Sequence, residues 1–488
     1  MMRNGLIACT AIALAIGASY APQGDAKSTP ASTPRSISAS EKAQGAKYHP
    51  DLLAEYGGPY TGPQADYVTR VGKKISVQSG LSNAEGDFTI TLLNSPVNNA
   101  FAIPGGYVYI TRQLLALMND EAELASVMGH EVGHVAARHS AKRNTTSTIG
   151  QILSAGVGIL TGNSTLGQLA GYGTQLYTLG FSRKQEYQAD DLGVAYLARG
   201  GYDPLAASDM LAALGAQTAL DGKVTGQTRN IPTWTSTHPN SADRVIRARK
   251  QAATTGIPAG QGLRNRDVFI SMLDGMLYDD DPKEGLVVGQ QFIHPVLKLK
   301  FTAPTGYNII NGSDAVTING TGGKAQFSAG KMPANGLAGH IDAVFKSVGG
   351  NTQIQYSEIT TTKINGINAA QASARANTSS GQVDVVVTAF DFGQAAYHFL
   401  TIAPAGQGVG PLGPLVNSLT RITDAEAAAI KPREVDIVTV KAGDTPATLS
   451  GRMAYTDYKL ERFLTLNALD SNAKLTPGQK LKLIVYRK

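Results

Sequence analysis

The sequence predicts an α+β protein of several domains: a mostly helical domain with a small sheet, a central α+β domain with an antiparallel sheet, and a small β-α-α-β unit at the C-terminus. Three observations lead to this prediction. The 488 residues exceed what one hydrophobic core organises. Helical spacing dominates the first half, whereas strand-like runs rich in Thr, Val, Asn and Gly follow Asn265. Hydrophobic residues at 42% and charged residues at 16% are typical of a globular protein.

The N-terminus predicts export from the cytoplasm. Arg3 precedes an apolar run, Gly5–Ala18, that is too short and wrongly flanked for a membrane anchor. Small residues then offer cleavage after Ala21 or after Ala26, and a proline directly after the first site disfavours it. We therefore expect a signal peptide at residues 1–26 and a periplasmic mature chain.

Cys9 is the only cysteine of the chain and offers an alternative. Leu6–Cys9 resembles a lipobox, which would attach a lipid anchor. In a lipoprotein signal the apolar stretch precedes the cysteine, whereas most of it follows Cys9, so secretion without a lipid anchor is preferred. Removal of the peptide leaves no cysteine and no disulfide, which fits a bacterial periplasmic protein with a large core.

The charge distribution excludes one class of partner. The net charge is +6, without a dense block of Lys or Arg. Nucleic-acid binding is therefore not indicated, and only a weak attraction to acidic envelope polymers is expected.

Local patterns predict the elements of the first domain. Residues 27–46 are rich in Ser, Thr, Pro, Ala, Lys and Gln and are typical of a flexible linker, so ordered structure is expected to begin near Tyr48. Asp120 with Glu123 is a helix-start pattern, and that helix is expected to run to about Ser140. Periodicity adds a helix over 66–77, strands over 88–93 and 106–110, and helices over 183–200 and 204–219.

Later regions complete the predicted organisation. Residues 146–180 are small and apolar with recurring glycine, which fits either a packed pair of helices or a mobile flap beside a cleft. Strand-like runs occur at 296–301, 315–318, 353–357 and 383–390. The expected boundaries are a signal peptide at 1–26, a linker at 27–46, a first domain at 47–255, a central domain at 265–430 and a C-terminal unit at 436–488.

The predicted long helix carries His130, Glu131 and His134 in the spacing of a zinc site. Residues four apart share one helix face, so both imidazoles can address one ion, and neutral imidazole is a good zinc ligand. Glu131 lies about 100° further round, where it can take a proton from a zinc-bound water and return it to a leaving amine. The alternative is two surface histidines, but the surrounding helix cues and the small Gly133 argue against it.

The third zinc ligand has to come from another segment, since a catalytic zinc needs three protein ligands and an open position. No third histidine follows at the extended spacing, and His139 is expected to point elsewhere. Glu186 and Asp190 are four apart in a predicted helix, so one carboxylate can bind zinc while the other orients a ligand histidine. Alone, such a pair is more typical of a solvated helix face; beside two histidines without a partner, it is the leading candidate.

Four separated segments resemble one known family. They are HEVGHVAARH at 130–139, SRKQEYQAD at 182–190, NAFAIPGG at 99–106 and THP at 237–239. Together they resemble the HtpX/prenyl-peptidase family of gluzincins, and they occur in the order of that family. Because the sequence lacks transmembrane segments, it is closer to the soluble periplasmic, BepA-like branch than to the membrane-embedded members. The resemblance covers about residues 48–255.

The resemblance implies the parts of a catalytic site. One zinc ion per chain would be held by His130, His134 and Glu186. Glu131 would be the base, and Asp190 would hold a ligand histidine from behind. The substrate backbone would align along an edge strand formed by Asn98, Asn99, Ala100 and Phe101.

His238 has two expected roles. In the family that it resembles, the segment 237–239 approaches the active site, where His238 would hydrogen-bond the oxyanion of the tetrahedral intermediate. Alternatively, His238 is a fourth zinc ligand that holds the enzyme latent, because a catalytic zinc keeps one position open. Arg244 is expected to stabilise the same loop.

The C-terminal unit resembles a LysM module. The resemblance rests on segments 438–445, 463–469 and 475–483, which follow a β-α-α-β plan, with Pro446 in place of a usual aliphatic residue. It implies binding to peptidoglycan that contains N-acetylglucosamine. The implied carbohydrate-binding loop is formed by Gly443, Asp444 and Thr445.

Together these features lead us to expect a secreted zinc-dependent endopeptidase. Its substrates would be misfolded or misassembled envelope proteins, with peptidoglycan and the outer-membrane assembly machinery as further partners. The alternative is a peptidoglycan-tethered scaffold or chaperone with a latent zinc site; a third class, a cell-wall amidase, lacks support in the motifs. Glu131 favours the endopeptidase, since a purely structural zinc site needs no base.

Overall fold

The computed structural model describes residues 36–139, 181–225, 234, 238, 242–312, 315–349, 353–378 and 381–487. The predicted signal peptide, Cys9, the start of the predicted linker and the Gly-rich segment 146–180 lie outside the described residues. Within the described ranges, no helix combines the length and the apolar character needed to cross a membrane.

Helices prevail in the first half of the described chain and strands in the second, so the predicted α+β class is confirmed. The helices are α1 (Ala39–Glu55), α2 (Pro63–Ser76), α3 (Arg112–Leu117), α4 (Glu121–Ala136), α5 (Arg183–Arg199), α6 (Ala206–Thr225), α7 (Ala242–Ala253), α8 (Arg266–Met272), α9 (Gly336–Gly349), α10 (Gly413–Asn417), α11 (Asp424–Ala429), α12 (Pro446–Ser450) and α13 (Lys459–Leu466). The strands are β1 (Thr89–Leu93), β2 (Ala100–Ile103), β3 (Tyr107–Thr111), β4 (Leu277–Tyr278), β5 (Leu286–Val288), β6 (Gln291–His294), β7 (Leu299–Thr302), β8 (Asn308–Asn311), β9 (Val316–Gly320), β10 (Gly323–Lys331), β11 (Thr360–Ile364), β12 (Ile367–Thr378), β13 (Gly381–Asp391), β14 (Ala395–Pro404), β15 (Thr420–Arg421), β16 (Arg433–Thr439) and β17 (Lys480–Tyr486).

Ordered structure begins earlier than the composition suggests. Helix α1 starts at Ala39 because Ser38 and Glu41 form a capping box, in which each side chain accepts a hydrogen bond from the backbone N–H of the other. The prediction of a flexible linker over 27–46 is therefore wrong for its last residues. The helix buries Leu52 against the sheet of the first domain.

The first domain places a long helix against a small mixed sheet. The strand order is β1-β3-β2, with β1 parallel and β2 antiparallel to the central β3, so β2 is an edge strand. Helix α4 packs against α2, α5 and α6. The predicted long helix is confirmed, although α4 ends at Ala136 and not near Ser140.

The central domain is built on an antiparallel seven-stranded sheet of order β11-β12-β13-β14-β10-β9-β8, with α9 on one face. A four-stranded sheet, β15-β7-β6-β5, completes it around Phe301 and Phe399. The expected antiparallel sheet is confirmed, but the strand predicted over 353–357 is wrong. The alternating apolar residues of this segment, Ile354 and Tyr356, pack against α9, but the segment is not paired with a neighbouring strand.

The central domain begins later than residue 265. Helix α8 buries Phe269 and Ile270 in the core of the first domain, and β4 pairs with β16 of the C-terminal unit. The predicted boundary at 265 is therefore wrong, because these apolar side chains complete an existing core before the central sheet starts at β5.

The C-terminal unit has the expected order β16-α12-α13-β17. It is not a separate body, since Phe463 and Leu483 belong to the same hydrophobic cluster as Leu117 of the first domain. Lys482 of β17 is fully buried and donates to the carbonyl oxygens of Ala116 and Met118 at 2.8 and 2.6 Å. The unit is thereby fixed to the C-terminal end of α3.

Candidate metal centre

Helix α4 provides two converging imidazoles. Its N-terminus is fixed because the Asp120 carboxylate accepts a hydrogen bond from Glu123 N at 2.9 Å. One helical turn apart on a buried face, His130 Nε2 and His134 Nε2 lie 3.0 Å from each other. The structure therefore brings the two predicted histidines to one point.

Glycines allow the second helix of the site to come close. Gly129 of α4 lies against Gly193 of α5, and Gly133 lies against Ala189. A Cβ atom at Gly193 would lie 3.2 Å from His130 N, and one at Gly133 would lie 3.1 Å from Ala189 O. Because both contacts would be with backbone, larger residues would push the helices apart. The close crossing lets α5 present its carboxylates directly to the imidazoles.

The two carboxylates of α5 have different neighbours. Glu186 is buried, and its oxygens lie 3.5 Å from His134 Nε2 and 3.6 Å from His130 Nε2. Asp190 Oδ1 lies 2.9 Å from His130 Nδ1, on the opposite side of that ring. Glu186 therefore faces the same point as the two Nε2 atoms, and Asp190 holds His130 from behind.

Arg244 of α7 joins the parts of the centre. Its Nε and Nη2 donate to both oxygens of Asp190 at 2.8 and 2.7 Å, Nη1 lies 2.8 Å from Glu186 Oε2, and Nη1 donates to His238 O at 3.3 Å. Burial alone raises the pKa of Asp190, but hydrogen bonds from Arg244 and His130 hold this pKa well below its usual range. The ionised Asp190 accepts the Nδ1 proton of His130, which leaves His130 Nε2 with its lone pair.

His139 is a residue whose role the sequence analysis missed. As expected it is not part of the donor set, but it contacts a ligand histidine: its Nδ1 lies 2.9 Å from His134 Nδ1 and its Nε2 lies 3.1 Å from Gln188 Oε1. An amide oxygen only accepts, so His139 Nε2 carries a proton and His139 Nδ1 accepts from His134. His134 Nε2 is thus left with its lone pair. The available signal was a histidine directly beyond the end of α4.

His238 supplies a fourth donor atom. Its Nδ1 lies 3.3 Å from His130 Nε2 and 3.1 Å from Glu186 Oε1. Burial lowers the pKa of His238 to about 3, so the ring is neutral near pH 7. The same cause, together with the neighbouring rings, lowers the pKa of His134. All three histidines can therefore offer lone pairs to a cation.

The donor set fits a zinc ion. Ligand atoms of His130, His134, Glu186 and His238 all lie within 4.8 Å of one another. Zinc bonds of about 2.0–2.1 Å in a tetrahedron place ligand atoms about 3.3 Å apart. The separations of 3.0 Å between the Nε2 atoms of His130 and His134 and of 3.6 Å between His130 and Glu186 bracket this value. Imidazoles and a carboxylate are also donor types that zinc prefers.

Glu131 stands beside the donor set. Burial raises the pKa of Glu131 to about 7, although His238 and Trp234 oppose this effect. Trp234 Nε1 donates to Glu131 Oε1 at 2.8 Å, and His238 Nε2 lies 3.7 Å from the same oxygen. A carboxyl group that titrates near neutrality can both accept and return a proton. Trp234 was missed by sequence reasoning, although its place four residues before His238 was a signal.

The predicted substrate strand lies at the edge of the first sheet. Ala100 and Phe101 belong to β2, and Phe101 stacks on Tyr109 with ring centroids 4.7 Å apart. Asn99 precedes the strand and its carbonyl accepts from the backbone of β3. The carbonyl oxygen of Asn98 accepts from Trp234 N at 2.7 Å. Trp234 is therefore bonded to the residue two positions before the edge strand.

The predicted carbohydrate-binding residues shape the turn before α12. Gly443 has a φ of +88°, which favours glycine. Asp444 accepts from Lys441 N at 2.7 Å, and Thr445 accepts from Thr448 N at 3.1 Å as the helix cap. The structure thus places these residues together on an exposed turn, away from the donor set.

Known proteins match two separate parts of the chain. Residues 63–252 match Peptidase family M48, and residues 438–483 match the LysM domain. The mitochondrial metalloendopeptidase OMA1 of Schizosaccharomyces pombe is 31% identical over 210 residues, which are 42% of this chain and 59% of that protein. The beta-barrel assembly-enhancing protease of Escherichia coli strain K12 is 31% identical over 197 residues, which are 38% of each chain. The mitochondrial metalloendopeptidase OMA1 of Arabidopsis thaliana is 33% identical over 181 residues, 36% of this chain and 35% of that protein.

The chain thus spans between 35% and 59% of the length of these relatives. The matched family segment contains the whole donor set, Glu131 and Arg244. Both matches confirm the resemblances drawn from the sequence. Residues 63–252 therefore match peptidase family M48, and residues 438–483 match the LysM domain.

Proposed function

We propose that this protein is a zinc-dependent endopeptidase of the bacterial cell envelope. The observation that carries the proposal is the convergence of His130, His134 and Glu186 on one point directly beside Glu131. Misfolded or misassembled envelope proteins are the proposed substrates. This choice is supported by similarity to a beta-barrel assembly-enhancing protease, which also makes the outer-membrane assembly machinery a proposed partner.

Each residue of the site has its own role in the proposed reaction. One zinc ion per chain would polarise the scissile carbonyl and the attacking water. Glu131 accepts the proton of that water and passes it to the leaving amine, as its raised pKa allows. Asp190 and His139 keep His130 and His134 in the tautomers that leave Nε2 free. The edge strand β2 offers backbone groups on which an extended substrate aligns.

The LysM domain supports a second part of the proposal, attachment to peptidoglycan. The exposed turn Gly443–Thr445 is the proposed glycan contact, and export through a signal peptide at residues 1–26 would bring the chain to the periplasm. Binding is tested by sedimentation with purified peptidoglycan. Substitution of Asp444→Ala and Thr445→Ala should reduce the bound fraction, whereas the exposed Lys331→Ala on the central domain should not. Equal binding of the two variants would exclude this turn as the glycan contact, and no binding by the unchanged protein would remove the tether from the proposal.

One observation favours a second candidate function. His238 Nδ1 lies close enough to His130 and Glu186 to complete a four-ligand site, and a zinc ion with four protein ligands is typical of a structural site. The second candidate is therefore a peptidoglycan-tethered scaffold or chaperone in which the zinc site is latent. The same geometry supports a latch, in which His238 blocks an otherwise catalytic zinc.

Cleavage of unfolded casein by the purified, zinc-loaded protein tests the first candidate. We expect cleavage that stops with a chelator and falls by at least ~100-fold in Glu131→Gln, because the base is lost. Glu85→Gln, an exposed carboxylate on the same domain, is the matched control and should cleave normally. Equal cleavage by Glu131→Gln would overturn the endopeptidase; no cleavage by any form would favour the scaffold.

His238→Ala tests the latch. If His238 is a fourth ligand that blocks the zinc, its removal should raise casein cleavage and leave zinc bound through the other three residues. If His238 hydrogen-bonds the oxyanion, removal should lower kcat by about 10²–10³-fold instead. A fall in activity under every condition tried would therefore exclude the latch.

A further inference from the structure

An apolar cavity lies directly beside the candidate catalytic centre. Its walls include Val127, which is one turn before His130 on α4, and Met210, Leu211 and Leu214 of α6. These four side chains are at most 5% exposed. The cavity therefore offers an apolar surface within reach of the group that would cleave a peptide bond.

Trp234 lines this cavity and contacts Glu131, His238 and Asn98. Its indole forms part of the cavity wall, and Nε1 donates to Glu131 at 2.8 Å. Its ring stacks on His238 with centroids 4.8 Å apart and an interplanar angle of 16°. Its backbone N donates to the carbonyl of Asn98, at the start of the edge strand, at 2.7 Å.

A bound polypeptide would need contacts at two of these places, Glu131 and the edge strand, and would also use the cavity. Its backbone would bond to the edge strand, its reacting amide would lie at Glu131, and a neighbouring side chain would enter the nearest pocket. We propose that Trp234 occupies, as an internal substitute, the pocket that receives a large apolar or aromatic side chain of the substrate next to the scissile bond. The inference rests on the proposed endopeptidase function and deepens it by naming the substrate's side chain.

The lining explains why the pocket selects apolar side chains. The polar side chains in its wall have partners: Ser126 Oγ donates to Glu123 O at 2.8 Å, Asp190 is held by Arg244, and His130, which also lines the cavity, bonds to Asp190 through Nδ1. A charged side chain would therefore lose its water without gaining a partner. Leucine, methionine, phenylalanine and tryptophan would replace the indole without this penalty.

The chain contains a single tryptophan, so its fluorescence reports on this pocket alone. The probes are capped pentapeptides, Gly-Gly-Xaa-Gly-Gly, that differ only in the central residue, titrated into the full-length zinc-loaded Glu131→Gln protein to prevent turnover. With Leu or Phe as Xaa, we expect the emission to shift to longer wavelength and acrylamide quenching to increase, because the indole leaves its buried position. With Asp or Lys, both signals should stay unchanged.

A wall substitution gives an independent test on the catalytically intact protein. Leu214→Ala enlarges the pocket, so the ratio of kcat/KM for Trp-containing over Leu-containing peptides should rise by at least ~10-fold. Leu220→Ala, a buried leucine of the same helix outside the cavity wall, is the matched control and should leave the ratio unchanged. Thermal melting followed by circular dichroism checks that both variants fold.

The outcomes separate the pocket from the activity. An indole that responds to no peptide, together with an unchanged ratio in Leu214→Ala and normal casein cleavage, would overturn the pocket and leave the endopeptidase standing. An indole that responds to apolar peptides while no substrate is cleaved would keep the pocket and overturn the activity.

Discussion

His130 and His134 can each present a lone pair at Nε2 because the other nitrogen of each ring has a partner. Asp190 accepts from His130 Nδ1, and His139 accepts from His134 Nδ1. These contacts fix both the tautomer and the angle of each ring before a cation arrives. At the scale of single residues, zinc affinity therefore depends on side chains that do not touch the ion.

We predict that His139→Ala weakens zinc binding by about 10–100-fold, because His134 loses the acceptor that fixes its tautomer. The dissociation constant is measured by competition with a chromophoric chelator. His49→Ala is the matched control, since His49 bonds to Tyr109 on the other side of the sheet and should leave zinc affinity unchanged. An unaltered dissociation constant in His139→Ala would contradict the role given to this residue.

A second histidine pair lies inside the central domain. His340 Nε2 of α9 and His398 Nδ1 of β14 are 2.9 Å apart, and His398 Nε2 is 3.2 Å from Ser328 Oγ. Burial lowers the pKa of His398 from its ordinary value of 6.5 to about 3, and the neighbouring His340 adds to the effect. The folded domain therefore keeps His398 neutral where the unfolded chain binds a proton.

We predict that acid destabilises the central domain through His398. Because its folded pKa lies below its unfolded pKa, the stability is complete above about pH 6.5 and is lost as the pH falls toward 3, by up to about 1.4 kcal/mol per pH unit. Hydrogen-exchange protection of β14, measured from pH 7 to pH 4.5, should decline less steeply in His398→Leu. An identical decline in both proteins would show that other groups cause it.

Helix α5 acts on the centre as one element. Glycines at the crossing with α4 set the distance between the helices, and Glu186 and Asp190 occupy successive turns of the face that results. A displacement of α5 therefore moves both carboxylates together. The spacing of the donors is a property of the helix pair rather than of any one side chain.

We predict that Gly193→Ala lowers both stability and zinc affinity. The new methyl would lie 3.2 Å from His130 N, so α5 has to shift, at about 1–3 kcal/mol. Gly222→Ala in α6 is the control, because a Cβ there meets nothing within 4 Å and alanine suits a helix better than glycine. Thermal unfolding and chelator competition should separate the two variants; matching behaviour would contradict the close-crossing argument.

At the scale of the whole molecule, a buried lysine joins the LysM domain to the first domain. Burial lowers the pKa of Lys482 to about 7 and raises the pKa of Glu123, near the start of α4, to about 8. Lys482 also bonds to two backbone carbonyls of the first domain. Because these buried groups cannot bond to water instead, the hydrogen bonds between the two domains stabilise both of them.

We predict that Lys482→Met lowers the free energy of unfolding by about 1–3 kcal/mol, since it leaves two buried carbonyl groups without a donor. It should also expose the segment between α13 and β17 to added trypsin. Lys474→Met, which changes an exposed lysine of the same unit, should do neither. Stability equal to that of the unchanged protein would show that the domain contact is not held by Lys482.

Several boundaries were not readable from composition. The Ser38 and Glu41 capping box starts α1 inside a segment that looks like a linker, because two well-placed residues outweigh many polar ones. Phe269 and Ile270 belong to the first domain although the sequence changes character just before them, because burial depends on where the chain returns and not on its neighbours. The alternation at Ile354 and Tyr356 likewise reflects packing under α9 and not a strand.

The sequence by itself determined the α+β class, the helix with His130 and His134 on one face, and the β-α-α-β order of the LysM domain. These features follow from local periodicity, caps and turns, which act over a few residues. Only the tertiary structure decided that His139 contacts His134, that Trp234 donates to Glu131, and that Lys482 bonds to the first domain. The last two join residues 103 and 366 positions apart, and such contacts are set by long-range packing.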